Sequence, residues 1–168
     1  MKQMKVLVQR ITAAEYELQG YTSDDPREPV PAPPASPGDI GRLASHLARL
    51  GLPLPPTYHR FLLACDGIEG FMTHFSLLGV AGLIGGPKPR RMRDYPNYAE
   101  FVVGEGESLE FLAFDKRARK GDELEVVFVT DEGDESRYDN MERFLIEHLA
   151  ALTEELEEER ADRKNLKG

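Results

Sequence analysis

The chain has 168 residues, of which 40% are hydrophobic and 30% are charged. This length and composition fit one compact domain with its own core, and they exclude collagen-like, disulfide-rich and wholly disordered proteins. The formal net charge of −9 disfavours a general binder of nucleic acid or of anionic membranes. We therefore expect a neutral or basic protein partner, no nucleic acid and no membrane.

Cysteine occurs once, at Cys65, so no disulfide can form within the chain and no cysteine zinc cluster can be built. The apolar run at residues 6–8 is shorter than the roughly 7–15 residues of a signal peptide. The longest apolar stretch, residues 77–86, is about half of the roughly 20 residues that span a bilayer. These features predict a cytoplasmic protein.

Residues 1–38 are predicted to be an extension outside the main domain. Residues 5–12 alternate loosely between apolar and polar side chains, which indicates a strand, paired with residues 15–18. Six prolines follow between residues 26 and 37 and favour an extended path. This segment is expected to be a semi-rigid linker or an arm strapped to the surface.

The main domain is predicted over residues 39–152 and begins with two helices. The first starts at Asp39, an N-cap residue type, and stops at Gly51. The second follows two prolines at 55 and 56 and stops at Gly67. Its apolar stripe has helical spacing and consists of Tyr58, Phe61, Leu62 and Cys65.

Strands follow the two helices. Residues 100–103 and 109–114 flank a Gly-containing loop and predict a hairpin, and residues 124–130 predict a strand covered on both faces or bearing a partner surface. A last helix begins near Asp139 or Asn140, and residues 153–168 are predicted to be its charged, solvated end or a tail. Helices segregated from strands indicate an α+β fold with a largely antiparallel sheet. We expect one core to include Phe61, Leu62, Phe111, Val127, Phe128, Phe144 and Leu145.

Several segments resemble, in order, the signature of the SUKH superfamily of Smi/Knr-like proteins. Residues 52–67, LPLPPTYHRFLLACDG, resemble its "LPxxYxxFL…NG" motif, with Asp66 at the position where the family often has Asn. Residues 101–115 resemble its "pig…gsg…yalD" hairpin, residues 126–131 its "vyxxdhd" strand, and residues 140–145 its "sFeeFl" helix. The resemblance covers about residues 39–150.

The resemblance implies a binding role without catalysis. Family members include fungal cell-wall regulators that act as interaction hubs, and many bacterial members resemble immunity proteins that bind and neutralise a toxin domain. The main expectation is an immunity or antitoxin-type protein. A regulatory hub in signalling or cell-envelope control is the first alternative, and a small hydrolase is the second.

A hydrolase would use Cys65 with His59 and His74, but Cys65 lies on the apolar stripe, where free cysteines are commonly buried and inert. The histidines lack the spacing of a helical zinc site, and residues 131–135 lack the ligand pattern of a calcium-binding EF-hand loop. The glycines at 104 and 106 precede a strand, so no helix N-terminus is available to hold a phosphate. We expect no catalytic residue, no cofactor and no metal.

The candidate partner-binding residues are acidic and lie on loops beside the predicted strands. They are Glu105, Glu107, Glu110, Asp131, Glu132, Asp134 and Glu135. If those loops are neighbours, they form one negative surface that steers a basic partner. The loop at residues 88–93, with Lys88, Arg90, Arg91 and Arg93, is the alternative surface and would favour an acidic partner.

Overall fold

A computed structural model describes residues 2–72, 74–85, 94–95, 98, 102–106 and 110–165. Its helices are α1 (Lys2–Thr22), α2 (Pro37–Arg49), α3 (Pro56–Ala64), α4 (Val80–Gly85) and α5 (Met141–Asn165). Its strands are β1 (Val30–Pro31), β2 (Ile68–Phe71), β3 (Phe75–Leu77), β4 (Val102–Gly106), β5 (Phe111–Lys120), β6 (Glu123–Val129) and β7 (Glu135–Tyr138).

The strands form one sheet in which each strand pairs with its neighbours in chain order, from β1 at one edge to β7 at the other. Every pairing among these described strands is antiparallel. The predicted α+β class with an antiparallel sheet is therefore confirmed. The predicted hairpin corresponds to β4 and β5, and the strand expected at residues 124–130 corresponds to β6.

Strands β5 and β6 contribute to two apolar clusters because alternate residues of a strand point to opposite faces of the sheet. Leu112, Phe114 and Val126 join the larger cluster, which contains the buried residues of the helices. The opposite face carries a smaller cluster of Tyr98, Phe111, Ala113, Val127 and Val129. Strand β6 is thus covered on both faces, which is one of the two arrangements that its apolar run predicts.

The seven expected core residues divide between these clusters. Those buried in the larger cluster, or packed against it, are Phe61, Leu62, Phe128, Phe144 and Leu145. Phe111 and Val127 are fully buried in the smaller cluster. Burial is therefore correct for six of the seven, and Phe128 is partly buried. The prediction of a single core is wrong, because Phe111 and Val127 point away from the helices.

The N-terminal segment is helical, so the strand predicted at residues 5–12 is wrong. The buried residues of α1 are Met4, Val8, Ile11, Glu15 and Gln19, whose spacing follows one helix face. The last two are polar, which hides the apolar periodicity of this face. Met4, Val8 and Ile11 belong to the larger cluster, so residues 1–38 are not an extension outside the core.

The proline-rich segment is an arm strapped to the domain. Strand β1 pairs with β2, and the Ala32 amide donates to the Gly67 carbonyl at 3.0 Å. The Asp66 amide donates to the Pro33 carbonyl at 3.0 Å, and the Ala35 amide donates to the Leu62 carbonyl at 2.9 Å. The interpretation as a strapped arm is therefore correct, and its prolines are tolerated because they lie at a sheet edge.

One of two predicted helix starts is wrong and the other is correct. Helix α2 begins at Pro37, because Ser36 is its N-cap and forms a capping box with Asp39. Asp39 is therefore the third residue of the helix and not its cap. Helix α5 begins after Asn140, whose Oδ1 accepts a hydrogen bond from the Arg143 amide at 2.9 Å. This start agrees with one of the two predicted positions.

Residues of the motif at positions 52–67 fix α3 against the start of α4. The Tyr58 hydroxyl donates to the Leu78 carbonyl at 2.8 Å, and the Val80 amide donates to Asp66 Oδ1 at 2.7 Å. Gly67 has a φ of +100°, and a Cβ there would lie 2.6 Å from the Leu77 carbonyl oxygen. Glycine is required at this position by both conformation and space. These motif residues have structural partners within the chain.

The C-terminal part of α5 packs along α1. Leu152 and Leu156 are buried, and the Arg160 guanidinium pairs with the Glu17 carboxylate at 2.6 Å. The predicted solvated end at residues 153–168 is therefore helical to Asn165 and in contact with the N-terminal helix. In the part of the chain that the structure describes, no helix is long and apolar enough to cross a membrane.

Candidate functional site

The strand register brings acidic segments from three parts of the chain to one end of the sheet. A row of paired residues crosses β3 to β7 and consists of Ser76, Glu105, Phe111, Val129 and Glu135. Glu110 directly precedes this row on β5, and Asp131 follows it after β6. The predicted neighbourhood of these acidic loops is therefore present for the described residues. Glu107 lies outside them, as does the side chain of Glu105.

Glu110 and Asp131 line one concavity of about 270 Å³ at this end. The other described residues that line it are Met72, Phe75, Phe128 and Thr130. The rings of Phe75 and Phe128 lie 5.8 Å apart. Glu110 Oε2 is buried and has no hydrogen-bond partner within the described ranges. Two carboxylates beside an aromatic and thioether lining suit a cation on an apolar stem.

The turn after β6 contains internal hydrogen bonds, and its acidic residues are exposed. The Thr130 amide donates to the Asp134 carbonyl at 3.0 Å, and the Asp134 amide donates to Thr130 Oγ1 at 3.1 Å. The Glu132 amide donates to Asp131 Oδ1 at 3.0 Å. Asp131, Glu132 and Asp134 are exposed. Over the described part of the chain, no group of His, Cys, Asp or Glu is placed to hold a metal ion.

Glu135 is held in a charge network on the face that carries the smaller cluster. Its carboxylate pairs with Arg137 at 3.1 Å and accepts a longer hydrogen bond of 3.4 Å from the Tyr98 hydroxyl. Arg137 also donates to the Tyr98 hydroxyl at 2.8 Å. Glu135 therefore contributes little free negative charge to the acidic end, which corrects the expectation that all seven acidic residues act together.

Asp115 is the buried centre of this network and is a residue that sequence reasoning missed. It is 2% exposed and accepts hydrogen bonds from Arg117 at 2.9 and 3.2 Å and from Arg137 at 3.1 Å. Burial opposes ionisation, but the hydrogen bonds from Arg117 and Arg137 outweigh it and hold the pKa of Asp115 below its usual value. Asp115 and Arg117 are two positions apart on β5 and therefore lie on the same face of the strand. This spacing is the only signal of the pair in the sequence.

The network also perturbs the groups around Asp115. Burial raises the pKa of Tyr98, and hydrogen bonds with Asp115 raise the pKa values of Arg117 and Arg137. The network therefore favours the charged form of both arginines and the neutral form of the Tyr98 phenol. Asp115 and Glu135 together balance the charges of Arg117 and Arg137, and the network links β5 to β7.

The residues of the alternative thiol site differ in their exposure. Cys65 is buried, and burial raises the pKa of its thiol to about 12. His59 is half-buried on α3, and His74 is exposed in the turn between β2 and β3. The basic loop at residues 88–93 lies outside the described residues.

No family model, no curated protein and no solved structure matches this chain.

Proposed function

We propose that this chain is a non-catalytic protein-binding domain that neutralises a basic bacterial toxin domain in the manner of an immunity protein. The observation that carries the proposal is the convergence of Glu110, Asp131, Glu132 and Asp134 at one end of the sheet. Residues 101–168 hold 10 basic and 20 acidic side chains, so the field of this part of the chain is strongly negative. Such a field accelerates encounter with a basic surface.

The concavity between Glu110 and Asp131 supports a specific mode of recognition. A lysine or arginine side chain of the partner would place its stem against Phe75 and Phe128 and its charge beside the two carboxylates. Glu110 Oε2 has no partner in the described ranges, so an incoming guanidinium would supply a missing hydrogen bond. Loss of this contact would chiefly raise the dissociation rate.

The properties of Cys65 count against the small hydrolase. A buried thiol with a pKa of about 12 carries almost no thiolate at neutral pH, and the thiolate is the nucleophile in cysteine hydrolases. The regulatory hub shares the acidic surface and differs only in the partner that it would bind. The identity of the partner therefore separates these two functions.

The proposal is tested by parallel affinity capture from the native cell. The baits are the wild-type chain, the variant Asp131→Lys/Glu132→Lys/Asp134→Lys and the matched control Asp24→Lys/Asp25→Lys/Glu28→Lys. All six positions are exposed, and both variants change the net charge equally. The partner is the basic protein that the wild type and the control retain and the first variant loses.

That partner is then expressed in a bacterium with and without this chain. An immunity protein relieves the growth arrest that its partner causes. A partner that causes no arrest assigns the chain to the regulatory hub and contradicts the toxin proposal. Equal capture by all three baits contradicts the acidic site.

A further inference from the structure

Helices α1 and α5 share an outer face that carries an open groove. One concavity of about 570 Å³ is lined by Arg10 of α1 and by residues of α5, namely Ile146, Leu149, Ala150, Thr153, Glu154 and Glu157. A second concavity of about 310 Å³ adjoins it through Arg10 and is lined by Lys2, Gln3, Val6 and Leu7. Val6 is 46% exposed and Ile146 is 43% exposed, although both are large apolar residues.

The two walls of this groove carry opposite charges. Lys2 and Arg10 are basic and lie on α1, whereas Glu154 and Glu157 are acidic and lie on α5. Within the described residues none of these four forms an ion pair, although Glu17 and Arg160 of the same helices do. A partner of one charge sign would be attracted to one wall and repelled by the other. A surface with the same pair of walls would complement both.

From this complementarity we infer that the α1–α5 face binds a second copy of this chain in a two-fold symmetric dimer. In a two-fold interface the same patch meets itself, so Arg10 of one copy faces Glu154 and Glu157 of the other, and the reverse. Val6 and Ile146 are then removed from water at the centre of the interface. This inference does not depend on the proposed toxin partner, because it uses none of the residues at the acidic end of the sheet.

The face is large enough for such an interface. At about 1.5 Å per residue, α1 is roughly 32 Å long and α5 roughly 38 Å long. Each helix is about 10 Å wide, so two helices side by side over about 32 Å offer roughly 640 Å² in projection. This is of the order of the roughly 800 Å² that each partner buries in a standard specific interface.

Sedimentation velocity of the full chain tests the dimer directly. The wild type is expected to sediment with twice the 18.9 kDa mass of the chain. Val6→Glu and Ile146→Glu place a charge in the apolar centre and are expected to weaken dimerisation roughly tenfold or more. The matched control is Val30→Glu, at a position that is 60% exposed on the edge strand β1, and it is expected to leave the dimer intact.

A charge exchange tests the two-fold arrangement. Arg10→Glu alone and Glu154→Arg/Glu157→Arg alone each place like charges across the interface, so each is expected to be monomeric. Their mixture restores both attractions and is expected to form a heterodimer. These changes affect exposed side chains, so the exchange decides the question even if an apolar variant fails to fold. A monomeric wild type, a dimer that persists in folded Ile146→Glu, or a mixture without heterodimer would overturn the inference.

Discussion

His148 Nε2 lies 2.7 Å from Glu15 Oε1, which joins α5 to α1 across 133 residues of sequence. The same carboxylate oxygen accepts a hydrogen bond from the Met72 amide at 3.0 Å. Met72 has a φ of 51°, so this bond helps to hold an unfavourable backbone conformation in the turn between β2 and β3. Glu15 is 2% exposed and links α1 both to α5 and to the turn between β2 and β3. These contacts make the N-terminal helix an integral part of the domain.

The packing of α1 predicts a large loss of stability when Ile11 is truncated. Ile11 is fully buried, so Ile11→Ala is expected to lower the free energy of unfolding by about 2–5 kcal/mol. Gln9→Ala, at an exposed position of the same helix outside the α1–α5 groove, is the control and should change it by less than about 0.5 kcal/mol. Urea unfolding followed by circular dichroism measures both. Equal effects would contradict the placement of α1 in the core.

The charge network predicts a pH-dependent effect of Asp115→Asn. Because the folded pKa of Asp115 is lowered, its contribution is present above the unfolded pKa of about 3.9 and is lost as the pH falls through the folded value. Asp115→Asn is therefore expected to be about 2 kcal/mol less stable than the wild type at pH 7, and the difference should narrow below about pH 4.

Urea unfolding between pH 7 and pH 2 measures that difference. The control is Asp122→Asn, because Asp122 is 72% exposed and its pairing with Arg119 should contribute less than about 1 kcal/mol. A stability difference for Asp115→Asn that stays constant across this range would show that the carboxylate charge is not the stabilising feature.

Two glycines predict opposite effects of the same substitution. A Cβ on Gly104 of β4 would lie 2.4 Å from the Phe75 ring, so Gly104→Ala is expected to cost about 1–3 kcal/mol. Gly41 of α2 has open space around it, so Gly41→Ala is expected to gain about 0.5–1 kcal/mol from helix propensity. Thermal unfolding of both variants checks the signs. A stabilised Gly104→Ala would show that β4 does not approach Phe75 this closely.

The burial of the Cys65 thiol predicts that it reacts slowly with a disulfide reagent in the folded protein. Because burial raises its pKa to about 12, a disulfide reagent at pH 8 should modify Cys65 only as fast as the protein opens or unfolds. The measurement compares labelling rates in native buffer and in denaturing urea. Rapid labelling of the native protein would revive the thiol-hydrolase hypothesis.

The sequence predicts those elements whose signal is local. Each of three elements is recognised from residues that are close together in the sequence. They are the apolar stripe of α3, the β4–β5 hairpin and the apolar run of β6. Helix α1 could not be predicted in this way, because the polar residues Glu15 and Gln19 occupy its buried face. Their hydrogen-bond partners come from distant segments and are Met72, His148 and Arg27.

The candidate site could be predicted in part: the neighbouring loops follow from the strand order, but the ion pairs do not. A meander of antiparallel strands places the loops around Glu110 and Asp131 at one end, so their proximity follows from the predicted order of strands. The pairing of Glu135 with Arg137 could not be predicted, because β7 is short, charged and exposed and carries no apolar pattern. The burial of Asp115 likewise depends on Arg137, which lies 22 positions along the chain.

Recognition of a basic partner by the acidic end of the sheet is tested most directly by the association rate with the captured partner, measured at low and high ionic strength. We predict that Asp131→Lys/Glu132→Lys/Asp134→Lys slows association roughly tenfold or more at low salt and flattens its salt dependence, because exposed charges act through the long-range field. The control Asp24→Lys/Asp25→Lys/Glu28→Lys is expected to stay closer to the wild-type rate and slope. An association rate and salt dependence of the first variant equal to those of the wild type would contradict the claim that the acidic end of the sheet recognises the partner.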